Sequence, residues 1–206
     1  MIWGWVRCMA LPVYVAGSLE TPCEAATICP VGGTLPPSHE AAPVSSRDDL
    51  LQHNLEYART FDQGGLPTEP ARRLAVVACM DSRIDLFAVL GLHNGEAHII
   101  RNAGGVVTDD VIRSLIISQR LLNTTEILVL QHTRCGLYCM DESSLRRRLL
   151  SDTGLTPHFA FESFDNLEGN LRQSLARLRA SPFIAKDMPA SGVIYDVDTG
   201  RLREVS

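Results

Sequence analysis

Four short runs of strand character, LAVVA from Leu74, AHIIR from Ala97, EILVLQ from Glu126 and GVIYDV from Gly192, recur along the chain with helical stretches between them. No other feature constrains the fold as much. LAVVA is continuously apolar, the mark of a strand covered on both faces. Strand, helix, strand, repeated to the end, is the order of an α/β domain built on a mostly parallel sheet. The pattern therefore predicts a central sheet of four to five strands flanked by helices. RLREV would fold back beside the last strand after the DTG turn.

The helices between the strands carry their own signals. SSRDDLLQHNLEYARTF opens with serines and aspartates, and Leu51, Leu55 and Ala58 fall on one face. IDLFAVLG is a short helix closed by Gly91. Thr108, Asp109 and Asp110 suit the free N–H groups of a helix start, with the helix running to about Leu122 and Ile112, Leu115 and Ile116 inward. A polar helix around 142–150 carries Arg146, Arg147 and Arg148, read as a solvated face. SFDNLEGNLRQSLARLRASP is amphipathic, with Phe164, Leu167, Leu171, Leu175 and Leu178 at helical spacing and Pro182 beyond its end.

At 206 residues the chain has room for one domain with a real core. A net charge of −5 leaves no electrostatic footprint for nucleic acid, and no apolar run approaches the roughly 20 residues that span a bilayer. Residues 1–43 hold three of the six cysteines, then a Pro-, Gly- and Ser-rich tract without periodicity, and read as a disordered extension. Its start lacks the basic opening and clean apolar middle of a signal peptide. The folded domain is expected over 44–206, in the cytoplasm, with its thiols reduced.

In parallel sheets ligands bind beyond the carboxyl ends of the strands. Cys79, the NAGG turn at 102–105, and His132 with Cys135 all fall at such ends, so they should converge. Two thiols and one imidazole make a three-ligand set for zinc, with one tetrahedral position left for water, the arrangement of a catalytic site. Asp81 and Arg83 follow Cys79 closely. The carboxylate can accept a hydrogen bond or proton from a zinc-bound water, and the guanidinium can hold it charged and oriented.

The segments CMDSR, RNAGG and HTRCG, together with GEAHIIRNAGGVVTDDVIRSLIISQRLL and the tail SGVIYDVDTGRL, closely resemble the β-class carbonic anhydrases. The likeness runs from about Val44 to Ser206 and is greatest to the short single-domain members of actinobacteria and similar bacteria. It implies one zinc per subunit, held by Cys79, His132 and Cys135, with Asp81 and Arg83 as the catalytic dyad. It also implies reversible hydration of carbon dioxide to bicarbonate and a proton, and a homodimer or homotetramer with each site near the subunit interface. In some members the counterpart of Asp81 swings onto the metal at lower pH.

Carbonyl sulfide and carbon disulfide hydrolases share that scaffold and provide an alternative substrate class. A closed structural zinc with Cys139 as fourth ligand, in a scaffold or thiol-sensing protein, is the alternative of another kind. Two departures stand inside the motifs. Arg134 occupies a position where close relatives carry Asp, and it is expected to point away from the metal. Cys139 lies four residues past Cys135 and is expected to be a spectator.

Overall fold

A computed structural model describes residues 47–205. The extension expected over 1–43 lies outside the described residues. The elements are α1 (Arg47–Arg59), β1 (Leu74–Cys79), α2 (Leu86–Leu90), β2 (Ala97–Asn102), α3 (Asp109–Leu122), β3 (Glu126–His132), α4 (Glu142–Thr153), α5 (Leu167–Ala180), β4 (Ala190–Tyr195) and β5 (Leu202–Val205). A single 3₁₀ turn, Ala103–Gly105, follows β2.

The five strands form one sheet in the order β2-β1-β3-β4-β5. The first four are parallel, and β5 returns antiparallel against β4 after the DTG turn. The expected α/β architecture is the one observed. β1 lies inside the sheet between β2 and β3, and its side chains divide between two cores as the pleat requires. Ala75 and Val77 join Val129, Ile127, Leu115, Leu171 and Leu175 under α3 and α5. Val76 and Ala78 face the other way, towards Ile84, Leu86, Leu130, Phe164 and Tyr195. Burial on that scale stabilises by roughly 1.5–3 kcal/mol for each large side chain. α5 lies close on β4 because Gly192 has no side chain, since a Cβ there would come within 3.0 Å of both Leu171 and Leu175.

Local chemistry sets the helix limits. Thr108 accepts a hydrogen bond from the Val111 N–H at the start of α3, and Asn123 closes it in the left-handed conformation. Asn166 caps α5 by accepting from the Gly169 N–H at 2.7 Å. That cap corrects one expectation. Phe164 precedes the helix and is not on its inward face; it bridges to Tyr138 and packs into the core on the opposite side of the sheet.

Arg146 departs from the expected solvated face of α4. It donates to the carbonyls of Pro157 and Phe159, pairs with Glu142 at 3.0 Å and lies over the ring of Phe161. It pins the loop after α4. On α1 no residue is buried; Leu51 and Leu55 are 50% and 57% exposed, so the expected apolar face has no cover among the described residues. No helix among the described residues is long and apolar enough to cross a membrane.

Candidate metal centre

The chain runs from β1 to β2 on one side and then places β3 on the other side of β1. The order therefore reverses between β1 and β3, and a crevice opens beyond their carboxyl ends, where α/β sheets take ligands. Cys79 is the last residue of β1 and His132 the last of β3. Cys135 returns three residues later on a turn. Its Sγ, the Cys79 Sγ and a His132 ring nitrogen lie within 4.8 Å of one another, and all three residues are buried. The structure thus brings together the three residues that the strand-end argument expected to converge. Cys139 is not in this group; it is exposed, at φ +54°, with its N–H given to the Phe164 carbonyl.

The imidazole is fixed in one tautomer. Nδ1 lies 2.9 Å from the Thr133 carbonyl, an oxygen that can only accept, so Nδ1 carries the hydrogen. Nε2 is then a bare lone pair. It is buried and has no hydrogen-bond partner. A buried acceptor left unmade costs about 1–3 kcal/mol, and a cation is a partner that would satisfy it.

The two sulfurs behave as an unequal pair. Cys79 is pushed well below the ordinary thiol value, chiefly by the Cys135 thiol donating to it, with the backbone N–H groups of Asp81 and Gly104 adding to the effect. Cys135 is driven up because its proton is held by the Cys79 sulfur and because it is buried. A thiol held low beside a second sulfur is the more nucleophilic of the two and the better donor to a cation. Two sulfurs and one bare ring nitrogen fit a metal ion that prefers soft and borderline donors.

Asp81 and Arg83 stand at the edge of this group. Arg83 donates from Nε to Asp81 Oδ1 at 2.9 Å and from Nη2 to Oδ2 at 2.7 Å, the two-pronged pairing expected from the sequence, and its backbone N–H adds a third bond to Oδ1. The same Nη2 reaches the Arg134 carbonyl at 3.0 Å. These bonds from Arg83 hold the Asp81 carboxyl far below the usual carboxylate range. Its Oδ2 lies 3.8 Å from His132 Nε2, so the carboxylate faces the cluster while remaining paired with arginine.

Arg134 stands at φ +55° between the two ring-side residues, and its side chain turns outward to Asp198 at 2.6 Å. Thr133 is tied to the same β4–β5 turn, its hydroxyl accepting from the Val197 N–H and its own N–H donating to the Tyr195 carbonyl. Several supports were not read from sequence. Asn102 closes the glycine turn by bonding both the N–H and the carbonyl of Val106. An asparagine directly before a Gly-rich turn is the signal that would have found it. Arg101 bonds the carbonyls of Cys79 and Asp81. Gln131, fully buried, donates to Asn170 on α5.

Comparison with known proteins agrees with this geometry. Residues 74–202 match the carbonic anhydrase family. The chain is 48% identical over 159 residues to β-carbonic anhydrase 1 of Mycobacterium tuberculosis, covering 77% of this chain and 97% of that protein. A carbon disulfide hydrolase of Acidithiobacillus thiooxidans is 32% identical over 161 residues, covering 68% of this chain and 80% of the other. The crystal structure of a carbonic anhydrase from Streptococcus mutans superposes with a TM-score of 0.73 at 45% identity, over 77% of this chain and 96% of that one. The family match spans the sheet from the first residue of β1 to the first of β5, and so contains the thiol pair, the bare imidazole and the carboxylate beside them. The chain belongs to the β-carbonic anhydrase family.

Proposed function

We propose that the protein is a zinc-dependent carbonic anhydrase that interconverts carbon dioxide with bicarbonate and a proton. Cys79, His132 and Cys135 are the proposed ligands, with one ion per subunit. The observation that carries this reading is the buried, unpartnered Nε2 of His132, set beside two buried sulfurs, with a paired carboxylate 3.8 Å away. Zinc bound there would supply the Lewis acidity that lets water ionise near neutral pH.

The roles of the chain's own groups follow from their partners. The Thr133 carbonyl holds the imidazole with Nε2 towards the site. Arg83 occupies both oxygens of Asp81 and keeps it ionised throughout the physiological range. A carboxylate so acidic does not retain a proton at neutral pH. Asp81 instead accepts a hydrogen bond from the attacking water and turns its lone pair towards the carbon of carbon dioxide, a positioning effect. Ile84, Leu86, Leu130, Phe164 and Tyr195 pack around the two sulfurs and lower the local dielectric, which strengthens each of these contacts.

The catalytic domain is assigned to 44–206 and the preceding 43 residues to an extension. A homodimer or homotetramer is assigned because α1 presents Leu50, Leu51, Leu55 and Tyr57 without cover among the described residues. The cytoplasm is assigned as the compartment because it keeps the two site thiols reduced. The test is stopped-flow hydration of carbon dioxide by the zinc-loaded protein, with carbonyl sulfide and carbon disulfide as parallel substrates. Hydration that saturates with carbon dioxide and is abolished by zinc removal is expected. Turnover of a sulfur substrate alone would refute the assignment.

A further inference from the structure

Arg101 is the fifth residue of β2, in the RNAGG segment, and the roles above do not use it. Its guanidinium reaches across to where β1 ends. Nε donates to the Cys79 carbonyl at 2.9 Å, and Nη2 donates to the Asp81 carbonyl at 2.7 Å. One planar group therefore spans the backbone between a proposed ligand and the carboxylate that faces it.

The other bond to the Asp81 carbonyl comes from within the turn, from the Ile84 N–H at 3.1 Å. Met80 is 67% exposed, so burial does not anchor the turn, and the next deeply buried side chain is Ile84. The Met80 N–H bonds the Asn102 carbonyl at 2.8 Å, which fixes the first peptide beyond the strand and not the second. Arg83 orients the Asp81 carboxylate and reaches the Arg134 carbonyl beyond β3, but it bonds neither carbonyl of the turn itself. Among the described residues, Arg101 is the side chain that bonds the Asp81 carbonyl from another strand.

We propose that Arg101 is a positioning residue for the hydration reaction, fixing the separation between the Cys79 sulfur and the Asp81 carboxylate by clamping the two carbonyls of the turn that joins them. The inference rests on the function proposed above. A guanidinium suits the task because its donors are set in a rigid fork; an ammonium reaches one carbonyl but cannot hold two at a fixed spacing. A misplacement of about 1 Å at a reacting group costs on the order of 100-fold in rate, and groups that orient ligands are worth roughly 10–100-fold in affinity or activity.

The experiment compares Arg101→Met and Arg101→Lys with the parent, all as the full chain loaded with zinc. Two quantities are read: the kcat and KM of carbon dioxide hydration, and the rate at which zinc passes to an excess of a coloured chelator. Arg101→Met is expected to lower kcat about 10-fold or more with KM within about two-fold, and to speed zinc release about 10-fold. Arg101→Lys keeps the charge and one bond, and is expected to fall between the two. Parent-like kcat and release rate in Arg101→Met overturn the proposal. So does a lowered melting temperature with both rates unchanged, the signature of a merely structural arginine. If Arg101→Met does not fold, Arg101→Lys decides by whether either rate departs from the parent by more than two-fold. A parent that binds zinc but does not hydrate carbon dioxide would remove the proposed function, while the release rates would still judge the clamp.

Discussion

The tightest steric constraint at the site falls on Gly105, and replacing it with alanine gives a stability change that can be worked from the structure. Gly105 has φ +62°, and a Cβ built there meets Cys79 N at 2.8 Å, Leu130 O at 2.9 Å and Ala78 C at 3.0 Å. All three are backbone atoms of β1 and β3, the middle of the sheet, so none can swing aside. Gly91 is the natural control, with φ +61° and nothing within 4 Å of its added Cβ. Both substitutions carry the left-handed penalty, about 1–2 kcal/mol. Only Gly105→Ala adds overpacking against rigid neighbours, about 1–3 kcal/mol more.

Gly91→Ala should therefore lose about 1.5 kcal/mol and Gly105→Ala about 3.5 kcal/mol, which for a domain of this size corresponds to roughly 3–6 °C and 7–14 °C in Tm. Urea unfolding of the metal-free protein, at one fixed protein concentration, measures both. The displaced Cys79 amide should also make Gly105→Ala bind zinc more weakly, whereas Gly91→Ala should bind as the parent does. If the two variants were destabilised equally to within about 0.5 kcal/mol, the close approach of the glycine turn to β1 would be refuted.

Asp81→Asn keeps the shape of the carboxylate but not its charge; metal content should be unchanged and kcat/KM should fall about 100-fold or more, read by stopped-flow hydration. Cys139→Ser should keep both zinc and activity, since Cys139 lies outside the three-residue group; loss of the metal on dialysis would instead support a closed four-ligand site. Arg134→Ala removes an ion pair exposed by 59% on each side, so denaturation should shift by less than about 1 kcal/mol and zinc affinity by less than about 10-fold. Glu142 accepts from the Phe161 N–H, from Arg146 and from Ser163, and the first of these does most to hold its carboxyl below the ordinary 4.5. A lowered value in the folded state means that stabilisation is complete above pH 4.5 and is lost as the pH falls through the folded value. Hydrogen exchange at the Phe161 amide should therefore gain protection with rising pH around that value in the parent, beyond the intrinsic trend, and show no such step in Glu142→Gln.

The sheet was legible because its strands are short and apolar and the helices between them carry strong end signals. Thr108 and Gly91 marked helix limits that the structure keeps. The convergence of Cys79, His132 and Cys135 followed from a single topological rule about strand ends, and needed no side-chain contact to be guessed. What failed was local. Phe164 fits the period of α5, but the Asn166 cap starts the helix two residues later and frees the ring to pack across the sheet. Arg146 looked like its two neighbours in a basic run, yet it alone has two carbonyls, a carboxylate and an aromatic face within reach. Arg101 was invisible for a related reason. Its partners are backbone oxygens twenty and more residues away, and no pattern of side-chain types records them.

The bare imidazole nitrogen and the two buried sulfurs beside it have a consequence for how samples of this protein are handled. Soft donors in a compact triangle rank divalent ions by intrinsic affinity, and that order does not single out zinc. The occupant of freshly made protein would then record the metals present while it folded, so cobalt in the growth medium would yield material of the same shape but different colour and rate.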